Sequence, residues 1–183
     1  MNILTSWGSN SKDRQSDFGC DELIKDPNSI WYRAVDVNAP AGLVYKWICQ
    51  MKIAPYSYDN LDNRGNQSPQ NLEPGTDKLK KGQKMMTIFN IESFTPGKEI
   101  NLTMDMPPKE WAKWYVPSAI SYKIETSAKN KSRIIVKYIA KWPYTLRGWF
   151  ERYLIVIADF IMMRRQLLNF KKLAERDFSK GMV

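Results

Sequence analysis

The chain has 183 residues, which favours one domain able to bury roughly 70% of its unfolded surface. Apolar residues make up 43% and include seven Trp, nine Tyr and seven Phe, a composition that excludes a disordered protein. The net charge of +9 permits contact with nucleic acid or an anionic membrane, but no nucleic-acid signature accompanies it. The densest basic groups, Lys78-Lys80-Lys81-Lys84 and Arg164-Arg165-Lys171-Lys172, therefore read as solvated faces.

Residues 1–28 are polar and rich in Ser, Asp and Asn, and read as an irregular arm holding one short helical turn. Residues 29–183 read as a single domain. "IWYRAVDVNAP" alternates as a strand and ends at Pro40, a residue suited to the first turn of a helix. In "AGLVYKWICQM", Leu43, Trp47 and Met51 fall at i, i+4 and i+8 on one face of a short helix. "APYSYDNLDNRGNQSP" follows, and its polarity raises the question of whether it binds a metal, carries a reaction or ties down a loop.

The next segments carry a period of two. "KMMTIFNIESF" and "KEINLTMDM" flank "TPGK", a hairpin turn, and "AISYKIET" and "SRIIVKYIAKW" flank "SAKNK". Together they predict an antiparallel meander with one buried face. A helix over about 146–178 closes the chain. Its apolar stripe runs through Trp149, Tyr153, Val156, Phe160, Met163, Leu167, Phe170 and Ala174. Arg152, Asp159 and Gln166 fall on a line expected to face solvent, together with Ile155 and Met162. The order of elements predicts an α+β fold in which a curved sheet grips the long helix.

"WYRAVDVNAPAGLVYKWICQM", "YSYDNLDN" and "DFIMMRRQLLNFKKLAER" resemble the SRPBCC superfamily, in its bacterial polyketide cyclase/dehydrase-like branch with the YSYDxLDN motif. The resemblance runs from about Trp7 to Arg176. It implies the helix-grip fold shared with START lipid-transfer domains, two short helices after the first strand, and a deep apolar cavity between sheet and long helix. The chain departs from the pattern at "QMKIAPYSYD", which is shortened and contains Pro55, and at Gly82-Gln83, where relatives have Gly-Asp.

The absence of histidine excludes Ser-His-Asp and Cys-His pairs and every His-based metal site. No glycine-rich phosphate loop is present, and Cys20 and Cys49 make neither a CxxC pattern nor a disulfide framework. Placing Asn60, Asp62, Arg64 and Asn71 in a calcium loop puts an arginine among the ligands, so no metal and no cofactor is expected. Asp59 is expected to cap a short turn ended by Asn63 and Gly65, with Tyr56 and Tyr58 on the cavity rim.

The expected function is binding of a small apolar or amphipathic molecule, with Tyr56, Tyr58, Met86, Met104, Tyr122, Tyr138, Phe160 and Met163 as its contacts. Plain core packing remains open for Met86, Met104, Tyr122 and Tyr138. The alternative is a metal-free cyclase, dehydratase or hydrolase using Tyr58, Asp59, Tyr122 and Arg164, although Arg164 and Arg165 read first as a surface pair. No apolar run reaches the ~20 residues of a membrane span, and the amino terminus lacks the apolar core of a signal peptide, so a cytoplasmic protein is expected. The line through Ile155 and Met162 would serve a homodimer or, at most, peripheral contact with an anionic membrane.

Overall fold

The structure is a computed structural model in which residues 2–105 and 115–181 are described. Met106, expected to extend a strand face, lies outside them. Six antiparallel strands form one sheet in the order β1-β6-β5-β4-β3-β2. They are β1 (Ser29–Val37), β2 (Lys84–Met85), β3 (Phe89–Thr95), β4 (Glu99–Met104), β5 (Ser118–Ala128) and β6 (Lys131–Ala140). The β3–β4 turn is the expected one: Pro96 sets the first corner, and Gly97 takes the positive φ of 75° that the second corner of a type II turn requires.

On the inner face, Ile120, Tyr122 and Ile124 of β5 and Ile134, Val136 and Tyr138 of β6 join one core with Ile100 and Leu102 of β4. The helices supplying the other side of that core are α3 (Ala41–Cys49) and α5 (Leu146–Ser179), with the short α4 (Asp59–Asp62) between them in sequence. α3 buries Leu43, Val44, Trp47 and Ile48. The molecule is therefore an α+β helix-grip fold, as expected. No helix among the described residues is long and apolar enough to cross a membrane.

Four expectations are corrected. The meander does not bury one face only. Phe18 and Cys20 pack with Ala34, Ala119, Ile135 and Ile139 in a second cluster on the outer face. The amino-terminal residues form α1 (Ile3–Ser6), α2 (Ser11–Gln15) and a 3-10 turn at Gly19–Glu22, where a single helical turn was expected. Each is locally specified. Asn10 and Asp13, for example, make a reciprocal capping box at the start of α2.

The predicted strand over 84–94 is broken between β2 and β3, where Met86 and Thr87 take φ of 51° and 68°. The period of two carries no trace of that break, because both residues are apolar or β-branched and fit a strand. The Met86 amide instead donates to the Met51 carbonyl at 2.9 Å.

The fourth correction concerns α5. Val156, Met163, Leu167, Phe170 and Ala174 are buried as predicted, but Trp149 is 68% exposed, Tyr153 is exposed and Phe160 is half-buried. On the line assigned to solvent, Gln166 is only 3% exposed, and Asp159 has a side chain 16% exposed. The buried arc is thus rotated toward Asp159, Gln166 and Asp177. Hydrophobicity alone misplaces it, because each of the three is drawn inward by a partner: Arg33 for Asp159, Tyr122 and Pro55 for Gln166, and Trp47 for Asp177.

Candidate functional site

A cavity of about 310 Å³ opens between the sheet and the middle of α5. Its sheet wall is Trp31, Phe89, Met104, Ile120 and Tyr138, and its helix wall is Ile155, Ala158, Asp159, Met162, Met163 and Gln166. Pro55, Ser57, Asp62, Met86 and Ile88 complete the lining from the loops. Trp31 and Tyr138 face each other across β1 and β6, and their rings stack 4.6 Å apart at 15°. The walls are apolar, with a few polar groups set into them, the usual form of a small-molecule site.

Asp159 enters this cavity beside Arg33, a β1 residue that is itself 2% exposed. The Arg33 Nη2 donates to Asp159 Oδ2 at 2.7 Å and to the Leu4 carbonyl at 2.7 Å, while Nη1 donates to the Tyr32 carbonyl at 2.9 Å. Burial pushes the Asp159 carboxyl up to about 6, against the opposing pull of Arg33. The expectation that Asp159 points outward is overturned by this pair.

Gln166 holds the floor. Its Oε1 accepts from the Tyr122 hydroxyl at 2.7 Å, and its Nε2 donates to the Pro55 carbonyl at 2.6 Å, so sheet, helix and loop meet at one amide. Burial keeps the Tyr122 phenol well above its ordinary pKa, and it remains a donor. Tyr122 is fully buried beneath Gln166 and does not line the cavity.

The "YSYDNLDN" loop divides two spaces. Ser57 and Asp62 face the apolar cavity, and the Ser57 hydroxyl donates to Asp62 Oδ2. Tyr58 and Asp59 face an open polar groove on the other side, with Arg165 and Lys172. Asp59 is not the cap of α4, a place taken by Tyr58 without a side-chain bond. Its carboxylate instead accepts from the Ser68 amide at 2.9 Å and hydroxyl at 2.5 Å, closing the loop. Tyr56, at a φ of 59°, is buried with its hydroxyl between Gln50 and the Pro69 carbonyl. Loop-tying is thus what Tyr56 and Asp59 do.

Of the eight expected ligand contacts, Met86, Met104, Tyr138 and Met163 line the cavity. Tyr56, Tyr58 and Tyr122 do not, and Phe160 packs with its ring 5.8 Å from the Arg33 guanidinium. None of Tyr58, Asp59, Tyr122 and Arg164 reaches the cavity. Arg164 is exposed and stacks over the Trp7 ring at 5.5 Å. Ile155 and Met162, assigned to a docking line, also line the cavity, Ile155 at its mouth with 44% of its surface exposed. Asp159, Gln166, Ser57 and Asp62 were missed as site residues. The signal for Asp159 was a lone acid inside the apolar run Tyr153–Met163, with Gln166 seven residues on along the same helical line.

The fold recurs in solved structures. A hypothetical protein from Helicobacter pylori, jhp0584, aligns with a TM-score of 0.55 and 11% identity, over 84% of this chain and 92% of that one. The di-domain ARO/CYC protein StfQ of the steffimycin biosynthetic pathway aligns with a TM-score of 0.50 and 11% identity, over 82% of this chain and 51% of that one. The likeness is one of fold. No protein-family model and no curated protein matches the sequence.

Proposed function

We propose that this protein binds a small apolar or amphipathic molecule in the cavity between sheet and α5, as a helix-grip protein of the polyketide cyclase/dehydrase-like kind that its YSYDxLDN and MxRRxLL segments resemble. The observation that carries the reading is the lining: Met86, Met104, Met162 and Met163 meet Trp31 and Tyr138 around an open space of about 310 Å³. Thioether side chains adapt to irregular apolar guests, and stacked rings give such guests a flat surface.

The test is native mass spectrometry and thermal shift against a panel of lipids and aromatic compounds. Ala158 lines the opening from an exposed position, so Ala158→Trp fills the space without crowding the core. The variant is expected to keep the wild-type melting temperature and lose the ligand-induced shift. Equal shifts in both proteins would place the ligand elsewhere.

A second reading, dehydration or cyclisation of the bound molecule, is favoured by Asp159 alone. A carboxyl pushed up to about 6 beside Arg33 in an apolar cavity is suited to proton transfer near neutral pH. StfQ, an ARO/CYC protein of a biosynthetic pathway, has the same fold. Abolition of turnover by Asp159→Asn, with ligand binding retained, is the expected result of that reading.

A further inference from the structure

In a chain of +9 charge, the cavity is lined by two aspartates and, among the described residues, by no lysine or arginine. Asp62 and Asp159 stand there with different partners and the same deficiency. The Asp62 Oδ2 accepts from Ser57, while its Oδ1 is buried with no hydrogen-bond partner. The Asp159 Oδ2 is taken by Arg33, and its Oδ1 accepts no hydrogen bond from the described residues.

The other polar groups do not correct the balance. The Gln166 amide nitrogen is spent on Pro55 and its oxygen on Tyr122, and the Ser57 hydroxyl on Asp62. The oxygens left over on the two aspartates are acceptors, and a buried one such as Asp62 Oδ1 weakens the fold unless something else donates to it. Trp31 and Tyr138 add stacked aromatic faces to the same lining, and such faces attract cations. A carboxylate-headed guest would meet the like charge of Asp62 beside an Asp159 already paired with Arg33, and a hydrocarbon would leave the free aspartate oxygens unpaired.

We propose that the cavity selects an amphipathic molecule with a cationic, hydrogen-bond-donating head, an amine, whose ammonium meets Asp62 and Asp159 while its apolar body lies against the Met and aromatic walls. This rests on the ligand-binding reading above and names the ligand's chemical class. Conversion of Asp159 to its ionised form, which burial opposes, is favoured by an arriving ammonium.

Three probes of one chain length separate the alternatives: decylamine, decanol and decanoate, the ionic two kept below their micelle concentrations and decanol below its solubility limit, each titrated into the full chain at neutral pH. Binding is followed by calorimetry and by the fluorescence of Trp31 and the other tryptophans. The protein's overall positive charge draws decanoate and repels decylamine, so a preference for the amine has to come from the cavity. Decylamine is expected to bind about tenfold or more tighter than decanoate, as a charge-assisted hydrogen bond allows, with decanol between them.

Asp62→Asn keeps the bond from Ser57 and removes the charge, so it should fold and lose most of the preference. Asp159→Asn provides the second arm, read alongside its circular dichroism because it leaves Arg33 without a counter-charge. Equal binding of all three probes, tighter binding of decanoate, or a preference untouched in both variants would overturn the amine proposal and leave ligand binding standing. No binding of any probe, with no shift across the wider panel, would overturn both.

Discussion

Asp159 and Arg33 make a pair whose effect on stability has a definite sign. The carboxyl titrates at about 6 in the fold and near 3.8 when unfolded. Between those values the folded chain keeps a proton that the unfolded chain has released, so this group's contribution to stability falls as pH rises from about 4 to about 6. The change is of the order of 3 kcal/mol for a shift of this size. Asp13 and Glu175 are held below their ordinary range by Arg133 and Lys171, and slope the opposite way. The difference between wild type and Asp159→Asn isolates the effect: in urea unfolding, wild type should lose stability relative to the variant between pH 4 and 6. A constant difference would mean that Asp159 titrates normally. The unpaired charge on Arg33 shifts the variant's level at every pH and leaves that slope alone. Gln166 offers a second residue-scale test. Gln166→Leu strands the buried Tyr122 hydroxyl and the Pro55 carbonyl, and should cost about 1–3 kcal/mol in urea unfolding, a loss expected of unpaired buried groups. Neither role was legible in the sequence, because hydropathy registers a polar residue in a helix but not the distant group that will satisfy it.

At the scale of elements, the sequence showed where α5 runs and missed which side of it is buried. Its length and the residues Val156, Met163, Leu167, Phe170 and Ala174 were all readable. The first turns were not, since Leu146, Trp149, Phe150 and Tyr153 continue the apolar pattern but stay exposed, where periodicity predicts a core. The two halves should therefore answer mutation differently. Phe170→Ala removes a fully buried ring that packs 5.3 Å from Tyr56, and should cost about 3–5 kcal/mol. Trp149→Ala removes an even larger side chain, yet should stay within about 0.5 kcal/mol of wild type, as surface changes do. Denaturant midpoints of the two variants decide it, and a large loss at Trp149 would mean that the first turns of α5 are packed. The hairpin from β3 to β4 was legible for the opposite reason. Its turn is specified locally, by Pro96 and Gly97.

Across the whole molecule, the least legible part is the amino-terminal segment, whose polarity read as an irregular arm. Its polar residues are the means by which it is fastened. Asp13 is 2% exposed and receives Arg133 through both carboxylate oxygens, at 3.0 and 2.7 Å, while Arg133 also donates to the Gly8 carbonyl at 2.7 Å. The Ala34 amide on the outer edge of β1 donates to the Trp7 carbonyl at 3.0 Å, so the segment covers an edge that would otherwise be open to pairing with another chain. Gly8 lies so near the Ala34 carbonyl that a Cβ there would stand 2.0 Å from it. Further on, Phe18 and Cys20 cover the outer face of the sheet, where Gly19 passes against the Asn101 side chain. Removing residues 2–17 would uncover the β1 edge, leave Arg133 without Asp13 and take the Leu4 carbonyl from Arg33. Breaking a buried pair by removing one partner costs about 3–5 kcal/mol, a large fraction of the stability of a single domain. The truncated chain should melt well below the full one in calorimetry and scatter more light at high concentration through its open edge. Asp13→Ala alone should reproduce the lower melting temperature without the association, because Trp7 would still occupy the edge. A truncated chain with the full melting temperature would mean that the segment decorates the fold instead of completing it.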